Sequence, residues 1–365
     1  MPLSFSQAEQ AYREGRISEL SADAEGLRFL ILRSLSRAEH LDRLTADIGL
    51  DMRAVPRKQQ LRHLFESGVS LQQMKETIRA IHAAERAERA QREGPLITEL
   101  YKMHSFDWGG LHQNSLEKTI VDNYIKKIVS FDRLNESIDN ELLVSLRGYV
   151  QCSWYNHWTS IIIEDIFKSH PQVLPAVGLI KKVDFFVAMV PFDLKVTYLP
   201  EGYFKDRRSS QRLRPEVTLL KREARKLGIH FDKTLPEARL LELLWSRLAD
   251  HPAESAQSLI RELTEYRRAT LAECVGNPDE LIRWLYENQG VRRFDASNRL
   301  FMVLVNTQNY FASWKLKRAK DLLERDIGRF LDNVQEGHVG RRVSFDWEEQ
   351  RYEAISDVVF VQHSS

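Results

Sequence analysis

The sequence predicts a mixed α/β protein: a central mixed sheet flanked by helices, with a helical N-terminal domain and a helical insertion. Three stretches predict it. Residues 141–168 have the pattern of one long helix, residues 177–200 (VGLIKKVDFFVAMVPFDLKVTYLP) are rich in Val, Phe and Ile, and residues 298–306 (NRLFMVLVN) form an apolar run. We place the N-terminal domain at 1–110 and the α/β domain at 111–365, with the insertion around 206–295.

The composition is that of an ordinary globular protein. The chain has 365 residues, of which 43% are hydrophobic and 29% charged, and its net charge is +1. Such a chain can form one large domain or two of common size. Its two cysteines, Cys152 and Cys274, are too few for a disulfide framework or a thiolate metal site. No run is long and apolar enough to span a membrane, so we expect a cytoplasmic protein without a membrane partner.

The first 93 residues have the texture of short helices, and Ser70 is a candidate N-cap for a helix over 70–93. Gly94, Pro95 and the segment up to Gly110 mark the expected domain boundary. Residues 40–61 resemble a helix-turn-helix with Gly49 at the turn. On this interpretation the recognition helix presents DNA-binding side chains, namely Arg53, Arg57 and Lys58. An ordinary helical appendage is the alternative.

The helix over 141–168 has an apolar stripe at helical period, formed by Leu143, Leu146, Val150, Trp154, Trp158 and Ile161. We expect this stripe to face the core. Glu164 and Asp165 flank its C-terminal end, where a buried carboxylate requires a partner.

The later elements follow from the same patterns. Helical texture returns over 206–295, and 298–306 predicts a strand buried on both faces. Residues 309–333 predict a helix with a basic first half. Residues 341–345 and 357–362 predict two short strands.

The candidate chemistry lies in a hairpin with strands over 181–188 and 191–199. If the turn is centred between Ala188 and Met189, Asp184 lies opposite Asp193, and Lys195 projects from the same face two residues later. Facing carboxylates repel each other unless a cation lies between them. Oxygen ligands without clustered Cys or His favour Mg²⁺ over Zn²⁺.

These residues resemble the PD-(D/E)XK nuclease motif. Lys182-Val183-Asp184 matches its first part, with Val in place of Pro, and Asp193-Leu194-Lys195 matches the D/E-x-K part at a short spacing. The resemblance implies a core of helix, strand hairpin, helix and returning strand, as in type II restriction endonucleases. It implies that Asp184, Asp193 and Glu164 are metal ligands and that Lys195 positions or activates water.

Two basic clusters are candidate phosphate contacts. Arg207, Arg208, Arg212 and Arg214 follow the second strand of the hairpin, and Lys315, Lys317 and Arg318 lie beside Trp314. Taken singly, each cluster can equally be a solvated helix face.

The resemblance implies a Mg²⁺-dependent endonuclease that cleaves double-stranded DNA as a site-specific type II restriction enzyme, with Mn²⁺ able to substitute. We expect a homodimer, since two copies of one site cut both strands of a symmetric sequence most simply. A cognate DNA methyltransferase is a possible partner. The alternatives are a nuclease of the same superfamily acting in repair, recombination or transposition, or on RNA or single strands, and a non-catalytic helical DNA-binding regulator.

Overall fold

A computed structural model describes residues 2–111, 115–288, 297–334 and 339–363 and shows a mixed α/β protein, as predicted. Within those ranges, no helix combines the length and apolar character needed to cross a membrane.

One six-stranded mixed sheet lies at the centre, with the strand order β1-β2-β3-β4-β6-β5. Its strands are β1 (Val173–Ile180), β2 (Val183–Val187), β3 (Val190–Tyr198), β4 (Arg299–Asn306), β5 (Arg341–Trp347) and β6 (Gln350–His363). β4 is parallel to both β3 and β6, and the other pairs are antiparallel. The predicted apolar strand is therefore confirmed as β4, which is buried along almost its whole length.

The sequence analysis missed β1, because Gly178 suggested a turn and the first strand was placed at 181–188. Gly178 instead allows a close approach, since a Cβ there would lie 2.3 Å from the carbonyl oxygen of Ser34. The Ser34 hydroxyl in turn accepts the Val177 N–H at 3.0 Å.

The chain begins with six helices: α1 (Phe5–Arg13), α2 (Ile17–Ala22), α3 (Ala24–Ser34), α4 (Ala38–Ile48), α5 (Arg57–Glu66) and α6 (Leu71–Tyr101). They share one apolar core with β1 and β2, to which the strands contribute Leu174, Val177, Ile180, Val183 and Phe186. Ser70 caps α6 in a capping box with Gln73, as predicted. The helix continues through Gly94 and Pro95 to Tyr101, so the expected break at 94 was wrong.

The helix-turn-helix interpretation is not supported by the geometry of α4 and α5. Gly49 ends α4 in a left-handed conformation, but eight residues, 49–56, separate the two helices, whereas the motif has a turn of about three or four. Arg53 lies in this connection rather than on a recognition helix.

A helical hairpin follows, formed by α7 (Leu116–Ile120), a π-helical segment Val121–Ile125, α8 (Phe131–Ser137), a second π-helical segment Ile138–Leu142, and α9 (Leu143–Lys168). The buried side of α9 is not the predicted stripe. It comprises Cys152, Tyr155, Thr159, Ile162, Ile163, Asp165 and Phe167, whereas Leu143, Val150 and Trp154 are exposed. The first buried residue of α9 is Cys152, so the stripe residues before it do not reach the core.

Five helices connect β3 to β4: α10 (Glu201–Ser210), α11 (Glu216–Lys226), α12 (Glu237–Ala249), α13 (Glu254–Gly276) and α14 (Asp279–Glu287). The helical insertion therefore begins a few residues earlier than predicted. α11, α12 and α13 form a core of their own, while α10 and α14 pack on one face of the sheet.

The other face of the sheet is covered by α9 and by α15 (Lys320–Asp332). The single helix predicted over 309–333 is divided into a 3₁₀ segment, Tyr310–Arg318, and α15. Ala319, with ψ of 74°, interrupts it.

Candidate active site

The β2–β3 hairpin has the predicted register. Phe185 pairs with Phe192 and Val187 with Val190, so one further step places Asp184 opposite Asp193. Ala188 and Met189 form the turn and have φ values of 43° and 72°. Positive φ at both central residues is the pattern of a type I′ turn, which matches the twist of the strands although neither residue is Gly or Asn.

The two strands separate at this pair of aspartates. The Asp193 N–H donates to the Asn298 carbonyl oxygen at 3.0 Å, on the β4 side. The next N–H of β3, that of Leu194, donates to Asp184 Oδ2 at 2.7 Å. The Asp184 carboxylate thus takes the place of a β2 carbonyl, which holds it against β3.

Lys195 lies beside Asp193 on the same strand. Its Nζ is 2.6 Å from Asp193 Oδ1, and its side chain is 45% exposed whereas that of Asp193 is 12% exposed. Arg299 Nε approaches the other oxygen of Asp193 at 3.6 Å. Asp193 is therefore held in place from β3 and β4, while the ammonium group of Lys195 remains accessible to solvent.

Glu164 is positioned by the C-terminal half of α9. Its Oε2 is 2.7 Å from Nζ of Lys168, one helical turn later. Burial raises the pKa of the Asp184 carboxyl from 3.8 to about 6; the hydrogen bond from Leu194 opposes this, and the charges of Asp193 and Glu164 raise it further. The charges of Asp193 and Glu164 therefore both act on Asp184, whose pKa of about 6 is close to neutrality.

The two aspartates line different cavities, although the sequence predicts that their carboxylates converge on one face. Asp184, Glu164 and Lys168 line one of about 550 Å³, together with Arg37 and Arg89 from the N-terminal helical region. Asp193 and Lys195 line another of about 770 Å³, together with Lys182, Thr197 and Trp284. A substrate in either cavity would be in contact with one of the two aspartates.

The donor set fits Mg²⁺. This ion is commonly bound by one or two carboxylates, with water and substrate phosphate completing its shell. Asp184 and Asp193 are the carboxylates that would hold it, with Glu164 as an accessory acid. In the part of the chain that the structure describes, no group of three or more Asp, Glu, His or Cys side chains is placed to hold a metal ion, so at most two carboxylates would bind it directly.

Comparisons with known proteins identify no relative. No family model, curated protein or solved structure shows significant similarity to the chain. The function must therefore be argued from the chemistry of the site.

Asp165 has a structural contact. It receives two hydrogen bonds from Arg89 of α6, at 2.8 and 2.7 Å. Burial would raise the pKa of the Asp165 carboxyl, but His82, Arg89 and Arg86 together hold it below its ordinary value. Asp165 therefore joins α9 to the N-terminal helices.

Three of the predicted DNA contacts are buried, which removes them from an accessible DNA surface. Arg208 donates to the Arg214 carbonyl oxygen at 2.8 Å. Lys317 donates to Asn156 Oδ1 at 2.8 Å, and burial lowers the pKa of its ammonium group to about 8. Arg318 donates to the Leu100 and Met103 carbonyl oxygens. Trp314 is buried as well.

The other predicted contacts differ in their availability. Arg207 bonds to Glu273 and Glu280, Arg57 to Asp42 and Arg53 to Asp51. Four predicted contacts have exposed side chains and no such ion pair with a residue that the structure describes: Lys58, Arg212, Arg214 and Lys315.

Several residues at the site were not predicted. Lys168 could have been found, since it lies four positions after Glu164 on the same helix. Arg37 and Arg89 gave no signal, because only the tertiary fold brings them to the cavity that Asp184 lines.

Proposed function

We propose that this protein is a Mg²⁺-dependent endonuclease that hydrolyses phosphodiester bonds of double-stranded DNA. One observation carries the proposal: Asp184 lies opposite Asp193 at the point where two strands separate, with Lys195 bound to Asp193 and Glu164 close enough to raise the pKa of Asp184. Such a cluster of carboxylates is destabilising by itself, and a divalent cation relieves it.

The order of elements supports a restriction-endonuclease-like core. α9 precedes the sheet, β2 and β3 form the hairpin, α10 to α14 cross over, and β4 returns parallel to β3. This is the sequence of helix, hairpin, helix and strand that the PD-(D/E)XK resemblance implies. The structural support lies in the hairpin register and in the parallel return of β4.

Each residue then has a distinct role. Bound Mg²⁺ supplies a Lewis acid that polarises the scissile phosphate and acidifies a water molecule. Asp184 and Asp193 hold the ion, and burial of Asp184 favours its binding because the metal removes an unfavourable charge. The Lys195 ammonium, kept in place by Asp193, hydrogen-bonds the attacking water or a phosphoryl oxygen. Glu164 adds negative charge that strengthens cation binding.

The cleavage assay tests the activity directly. We expect supercoiled plasmid DNA to be cut in Mg²⁺ or Mn²⁺ and to stay intact in EDTA. Discrete fragments with one common sequence at their ends would support a type II restriction enzyme, for which a cognate methyltransferase should protect the same site. A smear would support a nuclease acting in repair, recombination or transposition. Cleavage confined to RNA or single strands would contradict the proposed substrate.

The first prediction concerns Lys195. Lys195→Met should lower the cleavage rate by about 100-fold or more, because the variant loses a positioned cation and proton donor, and DNA binding should persist. Lys226→Met is the matched control. Lys226 is 62% exposed and contacts Glu223, which is 12% exposed. This pair, like Lys195–Asp193, joins an exposed lysine to a mostly buried acid, but it lies outside the candidate site.

Equal cleavage by the Lys195 variant, the Lys226 variant and the wild type would reject the role given to Lys195. Absence of cleavage in all three proteins, with DNA binding intact, would favour the non-catalytic regulator. Gel shifts on the same plasmid fragments separate these outcomes.

A further inference from the structure

The helical hairpin before the catalytic half of α9 has no apolar core of its own. We call residues 116–150 the arm. Sixteen of its 35 residues are apolar, a fraction close to the 43% of the whole chain, yet Ser137 is its only buried residue. Helical hairpins of this length are stabilised mainly by packing of their apolar faces. The arm therefore presents apolar surface that the rest of the described chain does not cover.

The exposed apolar side chains are concentrated in the arm. Of the ten large apolar side chains that are exposed in the described ranges, six belong to it: Ile125, Val129, Phe131, Leu143, Val144 and Val150. Val129 is 98% exposed and Phe131 74%. Large exposed apolar surfaces are uncommon on monomeric proteins and often mark an interaction surface.

The base of the arm is tightly packed. A Cβ on Gly148 would lie 2.4 Å from the Asp107 carbonyl oxygen, and one on Gly109 would lie 2.5 Å from Ser145 Cα. The segment before the arm thus crosses α9 at two glycines in close contact. These contacts fix the position of the arm at the point where it joins the rest of the protein.

The two halves of the arm carry opposite charge. Leu116–Ile120 and the residues up to 129 contain three lysines and two acids, a net charge of +1. Residues 131–150 contain four acids and two arginines, a net charge of −2. Lys126, Lys127, Glu136 and Asp139 are all exposed. In a two-fold pairing the basic half of one arm can face the acidic half of the other, twice per dimer.

We propose that the arm is a self-association surface and that its partner is the arm of a second copy of this chain. When two arms pair about a two-fold axis, the basic half of each arm faces the acidic half of the other. The same pairing covers exposed apolar side chains in both halves. Six exposed side chains of this size offer on the order of several hundred Å² per copy, the range that a stable interface requires when the polar rim is added.

The position of the arm gives the dimer a functional meaning that rests on the proposed nuclease activity. α8, the π-helical segment and α9 are consecutive, so the arm continues directly into the helix that carries Glu164. Pairing of two arms would therefore couple the two candidate active sites through continuous helices. A paired enzyme would cut both strands, whereas a monomer would only nick.

The first test measures mass in solution without DNA or Mg²⁺, by sedimentation equilibrium across a concentration series. We expect a dimer for the wild type. Phe131→Asp and Val129→Asp should each raise the dissociation constant at least about tenfold, because they place a charge in an apolar interface. Leu213→Asp and Val275→Asp are the controls, since both residues are exposed, at 42% and 46%, but lie outside the arm. Circular dichroism verifies that all four variants are folded.

A charge exchange tests the two-fold arrangement itself. The double variant Lys126→Glu, Lys127→Glu should dissociate, and so should Glu136→Lys, Asp139→Lys, because each then carries like charges on both halves. An equimolar mixture should form a heterodimer, since the reversed half of each chain meets an oppositely charged half of the other.

A wild-type protein that is monomeric at all concentrations would overturn the proposal. So would dimers that the arm variants leave intact, and so would a mixture that fails to associate while both double variants are folded monomers. Because mass is measured without substrate, these outcomes are independent of nuclease activity. If the nuclease proposal also holds, the arm variants should nick plasmid DNA in a Lys195-dependent manner but no longer linearise it in one binding event.

Discussion

Asp184 is the residue at which stability and the proposed activity conflict. Its carboxyl is held by the Leu194 N–H, yet burial and two neighbouring acids raise its pKa to about 6. A raised pKa means that the folded state binds the proton more tightly than the unfolded state does. The stabilisation is therefore present at pH values below about 4 and is lost as the pH rises towards and through about 6.

A pH titration of stability follows from this. In EDTA, the wild type should lose about 2 kcal/mol of unfolding free energy from this group between pH 4 and pH 7. Asp184→Asn should lack that loss, because the amide oxygen keeps the Leu194 hydrogen bond without charge. Urea unfolding at several pH values measures both, and Asp232→Asn, a change at an exposed acid, serves as control. Parallel wild-type and Asp184→Asn curves would contradict the pKa assigned to Asp184.

Metal binding should offset the loss of unfolding free energy that the ionised Asp184 carboxylate causes. At neutral pH, millimolar Mg²⁺ should raise the melting temperature of the wild type, because the ion binds only the folded arrangement of Asp184 and Asp193. The increase should disappear in Asp184→Asn and persist in Asp232→Asn. An equal increase in all three proteins would place the ion elsewhere.

At this scale the sequence predicted the register of the β2–β3 hairpin well and the surroundings of the basic residues poorly. Asp184, Asp193 and Lys195 follow from the two-residue period of strands and one turn position, which are local properties. The burial of Lys317 and Arg318 depends on Leu100, Met103 and Asn156, more than 150 positions away. A basic run in sequence gives no indication of such distant neighbours.

Among the elements, the β2–β3 turn determines where the aspartates meet. Ala188 has a φ of 43°, which is unfavourable for a side chain branched at Cβ. Ala188→Val should destabilise the protein by about 1–2 kcal/mol, whereas Ala188→Gly should change stability by less than about 0.5 kcal/mol, since relief of strain offsets the entropy of glycine. Thermal unfolding of the two variants measures these changes in stability. Equal stability of the two variants would mean that this turn is not strained.

Within the helical insertion, a buried arginine joins α13 to α10 and α11. Arg267 of α13 is fully buried and binds Glu216 at 3.1 Å and Glu201 at 2.8 Å. Arg267→Met should cost about 3–5 kcal/mol, because two partly or fully buried carboxylates lose their counter-charge. Arg261→Met on the same helix should cost less than about 0.5 kcal/mol, since Arg261 and Glu254 are both exposed. Urea unfolding compares them, and similar losses would contradict the role of Arg267.

The sequence predicted the type of most of these elements but not which side of each is buried. The stripe on α9 has correct helical spacing, but its N-terminal residues belong to the arm and stay exposed. The helical spacing of apolar residues indicates that a helix has an apolar side. It does not indicate which part of the helix packs against the core. β1 was missed for a related reason, since Pro175 and Gly178 are tolerated by contacts with α3 that sequence spacing does not encode.

In the whole molecule, the N-terminal helices and the sheet form one body. The predicted boundary near residue 110 rested on Gly94 and Pro95, but α6 passes through both, and α1 to α6 share a core with β1 and β2. A fragment spanning 111–365 should therefore fail to fold as a stable monomer, because the outer side of β1 and β2 would be exposed. Circular dichroism and gel filtration test this. A soluble, cooperatively melting fragment would restore the two-domain view.

The parallel pairing of β3 with β4 bears on when the protein becomes active during synthesis. Asp193 and Lys195 are placed by β4, through Asn298 and Arg299, which the ribosome adds about a hundred residues later. A nascent or truncated chain that ends before β4 has both aspartates but lacks the strand that orients one of them. If the proposed nuclease activity holds, DNA near the ribosome would encounter an inert polypeptide until translation is almost finished, and this order of synthesis would protect the chromosome of the cell that makes the protein.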